Sequence, residues 1–230
     1  MSIPGDSFLD LSPYFALENI RAGFSLASFS YADPNDRVQL ANRLGLDSSN
    51  LVIPKQVHSD LVQLCTTPGE LADTDAIISK SEDIVLSIQV ADCIPLFILD
   101  KNSKMFGLVH AGWRGVANGI VTKTIAEFKK HNEDGENIIA LIGPSIKLCC
   151  FEIGPEVAEQ FPGDFLLQGN GGRSFLDLQG VVQNQFVNAG IKSEQIIDLG
   201  ECTCCQPEKY HSYRREGKKA GRMIAVMGWV

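Results

Sequence analysis

Two histidines and one cysteine stand beside apolar, strand-like segments, and together they make a ligand set for a divalent metal. His58 follows Lys55-Gln56-Val57, Cys93 follows Ala91-Asp92, and His110 follows Val109 and precedes the turn Ala111-Gly112-Trp113-Arg114-Gly115. Strand ends are where a rigid scaffold delivers side chains into a site. Two imidazoles and a thiolate suit Zn²⁺, and three protein ligands leave a fourth position open, the mark of a catalytic metal. The same set suits copper as a His₂Cys site. Only four histidines occur in the chain, too few for a multicopper cluster, so zinc is favoured over copper. Each residue alone also has a plainer reading, as a hydrogen-bonded structural histidine or a small core thiol. The intervals between the three match no compact zinc finger and do not decide the matter. Cys93 with His110 also reads as the nucleophile and base of a thiol hydrolase or amidase.

The remaining chemistry-bearing residues are read more blandly. His131 lies in the polar run His-Asn-Glu-Asp-Gly, a solvated loop, and His211 sits among polar neighbours in Tyr210-His-Ser-Tyr-Arg-Arg. Asp75 and Asp92 are candidate carboxylates for orienting ligand imidazoles. Cys149, Cys150, Cys202, Cys204 and Cys205 read as buried or partly exposed thiols, with a second, structural zinc site conceivable where Cys202–Cys205 forms a C-x-x-C. No G-x-G-x-x-G or P-loop is present, and His131-Asn-Glu133 has no P-C-x-x-C after it, so the nucleobase-deaminase signature is missing.

The 230 residues carry 20 Lys and Arg against 28 Asp and Glu, a net charge of −8. Such a chain repels polyanions, so nucleic acid and anionic membranes are not expected partners. No run approaches a membrane span and the first residues do not resemble a signal peptide. Seven cysteines without a secretion signal point to a reducing compartment, the cytoplasm. A monomer or homodimer is expected.

The elements that must hold the site alternate strands with helices. Leu51–Ile53, Gln56–Leu64, Asp75–Ile78, Ile84–Val90, Ile138–Ile142, Gln195–Leu199 and Arg222–Met227 read as extended. Leu96–Leu99 and Phe106–Val109 flank Asp100-Lys-Asn-Ser-Lys104, a loop of hairpin length. Helices are predicted over Asp36–Leu46, closed by Gly45, and over Gly115–Lys130, where Val116, Ile120, Val121, Ile125 and Phe128 form one apolar stripe. Pro155–Phe161 and Leu176–Ala189 are also read as helical. Hairpins mixed with helical crossovers indicate an α+β or mixed α/β fold rather than a doubly wound sheet.

Gln56-Val57-His58, Ala91-Asp92-Cys93 and His110-Ala-Gly-Trp-Arg-Gly115, in that order, resemble the motifs of the multicopper polyphenol oxidase/laccase-domain family, also called purine nucleoside phosphorylase YfiH-like. The resemblance runs from about Gly23 to Arg222. It implies a single-domain, multi-layer sandwich of helices around mixed sheets over residues 1–230. It also implies a metal-centred active site at His58, Cys93 and His110, and phosphorolysis of adenosine, inosine, guanosine or methylthioadenosine with adenosine deamination in the same site. The small-molecule partners implied are a nucleoside and phosphate. Arg43 resembles the family's Asn-Arg pair, and Arg214 and Arg215 its C-terminal Ser-Tyr-Arg-Arg block, which also takes in Gly221-Arg222; an arginine fork suits phosphate. Arg114 reads instead as a loop anchor. Two departures stand out. Gly23-Phe-Ser-Leu-Ala27 and the loop to Tyr31 lack the family's arginine and paired glycines, and Lys147-Leu148 replace its usual Gly-Pro.

Overall fold

A computed structural model describes residues 7–29, 35–130 and 136–230. His131 and the end of the altered loop, Ser30 and Tyr31, lie outside the described residues. Two six-stranded mixed sheets stack face to face. The first has the spatial order β1 (Phe8–Asp10), β2 (Ile20–Ser25), β15 (Met223–Trp229), β7 (Val85–Val90), β3 (Leu51–Pro54), β5 (Gly69–Leu71). The second runs β14 (Ile196–Asp198), β10 (Ile138–Ile142), β8 (Ile94–Asp100), β9 (Phe106–Ala111), β6 (Ala76–Ser79), β4 (Val62–Leu64). A small third sheet holds β11 (Glu152–Ile153), β13 (Ser174–Leu176) and β12 (Leu166–Gln168). The helices are α1 (Asp36–Arg43), α2 (Trp113–Ala117), α3 (Ile120–Lys129), α4 (Pro155–Ala158), α5 (Leu178–Asn188) and α6 (Tyr213–Glu216).

The layering follows from which faces are apolar. Along β8, Ile94, Leu96 and Ile98 pack under α3 and α5 with Val121, Ile125 and Phe186, whereas Phe97 and Leu99 point into the space between the sheets. That strand is apolar at nearly every position because both its faces are covered. On the outer side of the first sheet, Leu40, Ala41 and Leu44 of α1 and its C-cap cover Val85, Ile224 and Val226. The result is helix, sheet, sheet, helix, an α+β sandwich. Among the described residues no helix is long and apolar enough to cross a membrane.

Several predicted elements change on folding. The expected helix over residues 115–130 is two helices, because Gly119 adopts φ 82° and interrupts the hydrogen-bond ladder between α2 and α3. The helix predicted over 155–161 stops after one turn at Ala158, and that over 176–189 starts later, where Asp177 caps α5 by accepting from the Gly180 amide. Residues 56–64 are not one strand: only Val62–Leu64 pairs, and the preceding segment is a loop. Val57 is 43% exposed and Leu61 54% exposed, so the apparent alternation buries nothing.

Candidate metal centre

The hairpin β8–β9 brings Cys93 and His110 to one end of the second sheet. Ile94 pairs with Ala111 and Pro95 with His110, so Cys93, the residue before β8, falls diagonally across from His110, within reach of a long side chain. On the other side of β9, β6 places Asp75 opposite His110; the His110 amide donates to the Asp75 carbonyl at 2.7 Å. The Asp75 carboxylate then holds His110 Nδ1 through Oδ1 at 2.7 Å. That contact commits Nδ1 and leaves Nε2 toward Cys93 and the cavity.

His58 reaches the same point by a different route. Its backbone is left-handed, φ 61°, a conformation His tolerates better than most residues. The loop is held in it by Asp75, which accepts from the amides of Val57 (3.2 Å), His58 (3.1 Å) and Ser59 (2.6 Å) and from Ser59 Oγ (2.7 Å). One buried carboxylate therefore fixes two of the three proposed ligands. Gln56 ties the same loop to β7, exchanging hydrogen bonds with the Gln89 carbonyl and amide at 2.7 and 2.8 Å.

The ligand atoms of His58, Cys93 and His110 all lie within 4.8 Å of one another, and the two imidazoles stand edge to face at 4.8 Å between ring centroids. This donor set fits a single zinc ion with a fourth position left over. Among the described residues no second cluster containing histidine is present. Burial works to raise the Cys93 pKa, but the facing His110 and His58 rings overcome it and bring the thiol down to about 6. Burial likewise works to lower His110, and the Cys93 thiolate and Asp75 carboxylate instead hold it up, at about 9. Around neutral pH the pair is thus thiolate and imidazolium, and metal entry must expel the His110 proton. We expect zinc binding at pH 7.5 to release about one proton, so that affinity rises roughly tenfold per pH unit until His110 is neutral. Calorimetry in buffers of different ionisation enthalpy measures it; no proton release would contradict the ion pair.

The turn after β9 is shaped by two glycines with different jobs. A Cβ on Gly112 would stand 3.0 Å from His58 Cδ2 and 3.2 Å from Cys93 Sγ, so that residue keeps space open for the ligands. A Cβ on Gly115 would stand 2.7 Å from the Ser59 carbonyl oxygen, so that one lets α2 approach the His58 loop. We expect Gly112→Ala to weaken zinc binding about 10- to 100-fold, as displaced supporting groups do at other sites; competition with a chromogenic chelator reads it directly.

A cavity of about 620 Å³ opens above the three residues. Its walls carry Arg114, Arg214 and Arg222 beside Trp113, Phe151 and Tyr213. Arg114 lies over the Trp113 ring at 4.3 Å and Arg214 over Phe151 at 5.5 Å. Asp92 also lines the cavity, yet it orients no imidazole. Its carboxylate accepts from Thr203 Oγ1 (2.6 Å), Ser212 Oγ (3.1 Å) and the Arg214 amide (2.6 Å), which pins the start of α6 beside Cys93 and so sets Tyr213 and Arg214 in the wall. Arg43 and Arg215 are not brought to the cavity. Arg43 Nη1 donates to Ser7 Oγ at 2.9 Å and its guanidinium lies over Phe29. Arg215 donates to the carbonyls of Thr203, Cys204 and Tyr210 and pairs with Glu216. Arg215 has no fork left over for phosphate, and Arg43 is exposed away from the cavity. Arg222, within the C-terminal motif but not singled out from the sequence, and Arg114, read as an anchor, take their places as cavity cations.

Residues 31–230 match the family described as multi-copper polyphenol oxidoreductase laccase. The chain belongs to this family. It is 34% identical to a purine nucleoside phosphorylase of Aquifex aeolicus (strain VF5), over 84% of this chain and 92% of that protein. It is 30% identical to adenosine deaminase RL5 from an unknown prokaryotic organism, over 81% and 78% of the two chains. The crystal structure of the Bacillus licheniformis hypothetical protein YfiH superposes with a TM-score of 0.88 at 26% identity, covering 96% of each chain. The fold described above is therefore a laccase-family fold.

Proposed function

We propose that this protein is a zinc-dependent purine nucleoside phosphorylase that also deaminates adenosine in the same site. The observation that carries the reading is the convergence of His58, Cys93 and His110 under a cavity walled by three arginines and three aromatic rings. The names of the two relatives, a purine nucleoside phosphorylase and an adenosine deaminase, support the same substrate class. His58, Cys93 and His110 would hold the zinc, which would supply a Lewis acid at the cavity floor when bound.

The remaining work falls to the chain's own groups. A purine base is flat and apolar on its faces, and Trp113, Phe151 and Tyr213 offer surfaces on which it can lie. Inorganic phosphate needs cationic donors, and Arg114, Arg214 and Arg222 provide them from different walls. Holding phosphate beside the ribose turns a two-body encounter into a positioned displacement at C1′. Asp75 keeps His110 in one ring orientation throughout.

The test is a nucleoside panel, inosine, guanosine, adenosine and methylthioadenosine, run with and without phosphate on protein of measured zinc content. Phosphate-dependent release of the free base from inosine, and phosphate-independent conversion of adenosine to inosine, are the expected outcomes. The Cys93–His110 thiolate–imidazolium pair also suits a thiol hydrolase. In that case iodoacetamide would trap Cys93 equally with and without zinc, and the nucleosides would be inert. A phenol oxidase would instead show a visible thiolate-to-copper band.

A further inference from the structure

We infer that Cys149, Cys150, Cys202 and Cys205 form a second metal site, a four-thiolate structural zinc centre outside the cavity floor. The four sulfurs come from two turns. Cys149 and Cys150 follow β10 by a short connection, and Cys202 and Cys205 follow β14. Backbone pairing brings the turns together: Ser145 bridges Cys202 in parallel, and the Thr203 amide donates to the Ser145 carbonyl at 3.1 Å.

The sulfur spacing identifies the occupant. All four Sγ atoms lie within 4.8 Å of one another. Cys149 Sγ stands 3.7 Å from Cys202 Sγ and 3.6 Å from Cys205 Sγ, and Cys150 Sγ stands 3.3 Å from Cys205 Sγ. A disulfide requires about 2.05 Å. A regular tetrahedron of sulfurs at ~2.3 Å from a central zinc has edges of roughly 3.8 Å. An iron–sulfur cluster would hold its cysteines much farther apart, since inorganic sulfide stands between them. The spacing thus suits one tetrahedral, thiophilic cation, and zinc is the usual one for four thiolates.

Charge points the same way. Four thiolates around a divalent cation carry a net charge of about −2, and two guanidinium groups from α6 reach the two turns. Arg214 Nη1 donates to the Cys150 carbonyl at 3.1 Å and Arg215 Nη1 to the Cys204 carbonyl at 3.0 Å. The arginine that has no place in the cavity thereby acquires one here. The centre would clip the turn bearing Phe151 to the turn bearing Thr203, and Thr203 holds Asp92. It would therefore stabilise a wall of the cavity without touching substrate.

The experiment compares metal content in the full chain after equilibration with zinc and gel filtration, by elemental analysis. Wild-type protein is expected to hold two zinc ions per chain, Cys93→Ala one and Cys205→Ser one. Replacing zinc by cobalt should give the intense near-ultraviolet charge-transfer and red absorption bands of a four-sulfur site, retained in Cys93→Ala and lost in Cys205→Ser. Should Cys205→Ser not fold, the Cys93→Ala protein decides alone, with four thiols shielded from alkylation until a chelator is added. The inference is overturned if Cys93→Ala holds no zinc, if those thiols react equally with and without zinc, or if native protein alkylated under denaturing conditions carries disulfides among them. Iron retained in place of zinc would keep the site and overturn its assignment to zinc.

Discussion

The Cys93→Ala protein is expected to lose the zinc at the cavity floor and to fall about 10³-fold or more in kcat/KM for inosine phosphorolysis. The estimate comes from the several kcal/mol that a positioned Lewis acid contributes, at about 1.4 kcal/mol per tenfold in rate. Two imidazoles remain, but without an anionic ligand they hold a divalent cation far less tightly. The fold should tolerate the change. Cys93 is only half-buried at the margin of the inter-sheet core, and trimming its sulfur to a methyl costs about 1 kcal/mol or less. The measurement pairs zinc content with initial rates and a thermal melt. Full activity in Cys93→Ala protein that holds no zinc at the cavity floor would end the zinc-enzyme reading. Loss of activity with zinc still bound at the cavity floor would favour the thiol-nucleophile alternative.

Asp75→Ala should be more damaging to the molecule as a whole. It leaves three loop amides, the Ser59 hydroxyl and His110 Nδ1 without their acceptor. Breaking a buried ion pair in this way costs about 3–5 kcal/mol, and the His58 loop loses the contacts that keep it left-handed. Asp75→Asn is a sharper probe. Both carboxylate oxygens accept only from N–H or O–H donors, so an amide of the same shape must turn its NH₂ against one set of them in either orientation. We expect it to fold, to lose about 10- to 100-fold in zinc affinity, and to titrate differently in acid. Burial works to raise the Asp75 carboxyl, but the hydrogen bonds from His110 and Ser59 hold it down at about 2 against 3.8 for an ordinary Asp. Its contribution is complete above pH 3.8 and disappears as pH falls through 2. Chemical denaturation from pH 2 to 6 should show that loss in the wild type and not in Asp75→Asn. An unchanged acid limb in the wild type would remove Asp75 from this role.

How much of this could be read beforehand depended on how local the cause was. The hairpin was legible because its two apolar runs and polar turn lie within one stretch of chain. Cys93 and His110 came with it, since register alone sets them near each other. His58 was legible only as a motif residue. The strand expected to begin there starts only at Val62, because Val57 and Leu61 face solvent and a carboxylate from residue 75 shapes the loop instead. The arginines show the limit most clearly. Arg214 and Arg215 are adjacent and chemically identical, yet one reaches the cavity and the other satisfies three carbonyls. Asp92, distant in sequence, fixes the Arg214 backbone, while the carbonyls of Thr203, Cys204 and Tyr210 capture Arg215, and no periodicity encodes that. The two- and three-residue strands of the third sheet are too short to leave a repeating pattern, and Gly119 is a single residue that splits an otherwise continuous apolar stripe.

The position of β15 bears on how the molecule is made. This late strand is not at an edge: it lies between β2 and β7 and hydrogen-bonds to both. On a ribosome, which delivers the chain from its N-terminus, the first sheet therefore keeps an open slot in its centre until Met223–Trp229 emerges. The flanks of that slot are unpaired and apolar, the kind of surface on which nascent chains associate wrongly or recruit chaperones. Arg222 immediately precedes β15, and Arg214 reaches the cavity from the segment just upstream. The cavity therefore gains its last cations only when the sheet closes, so an unfinished chain has no assembled site with which to act.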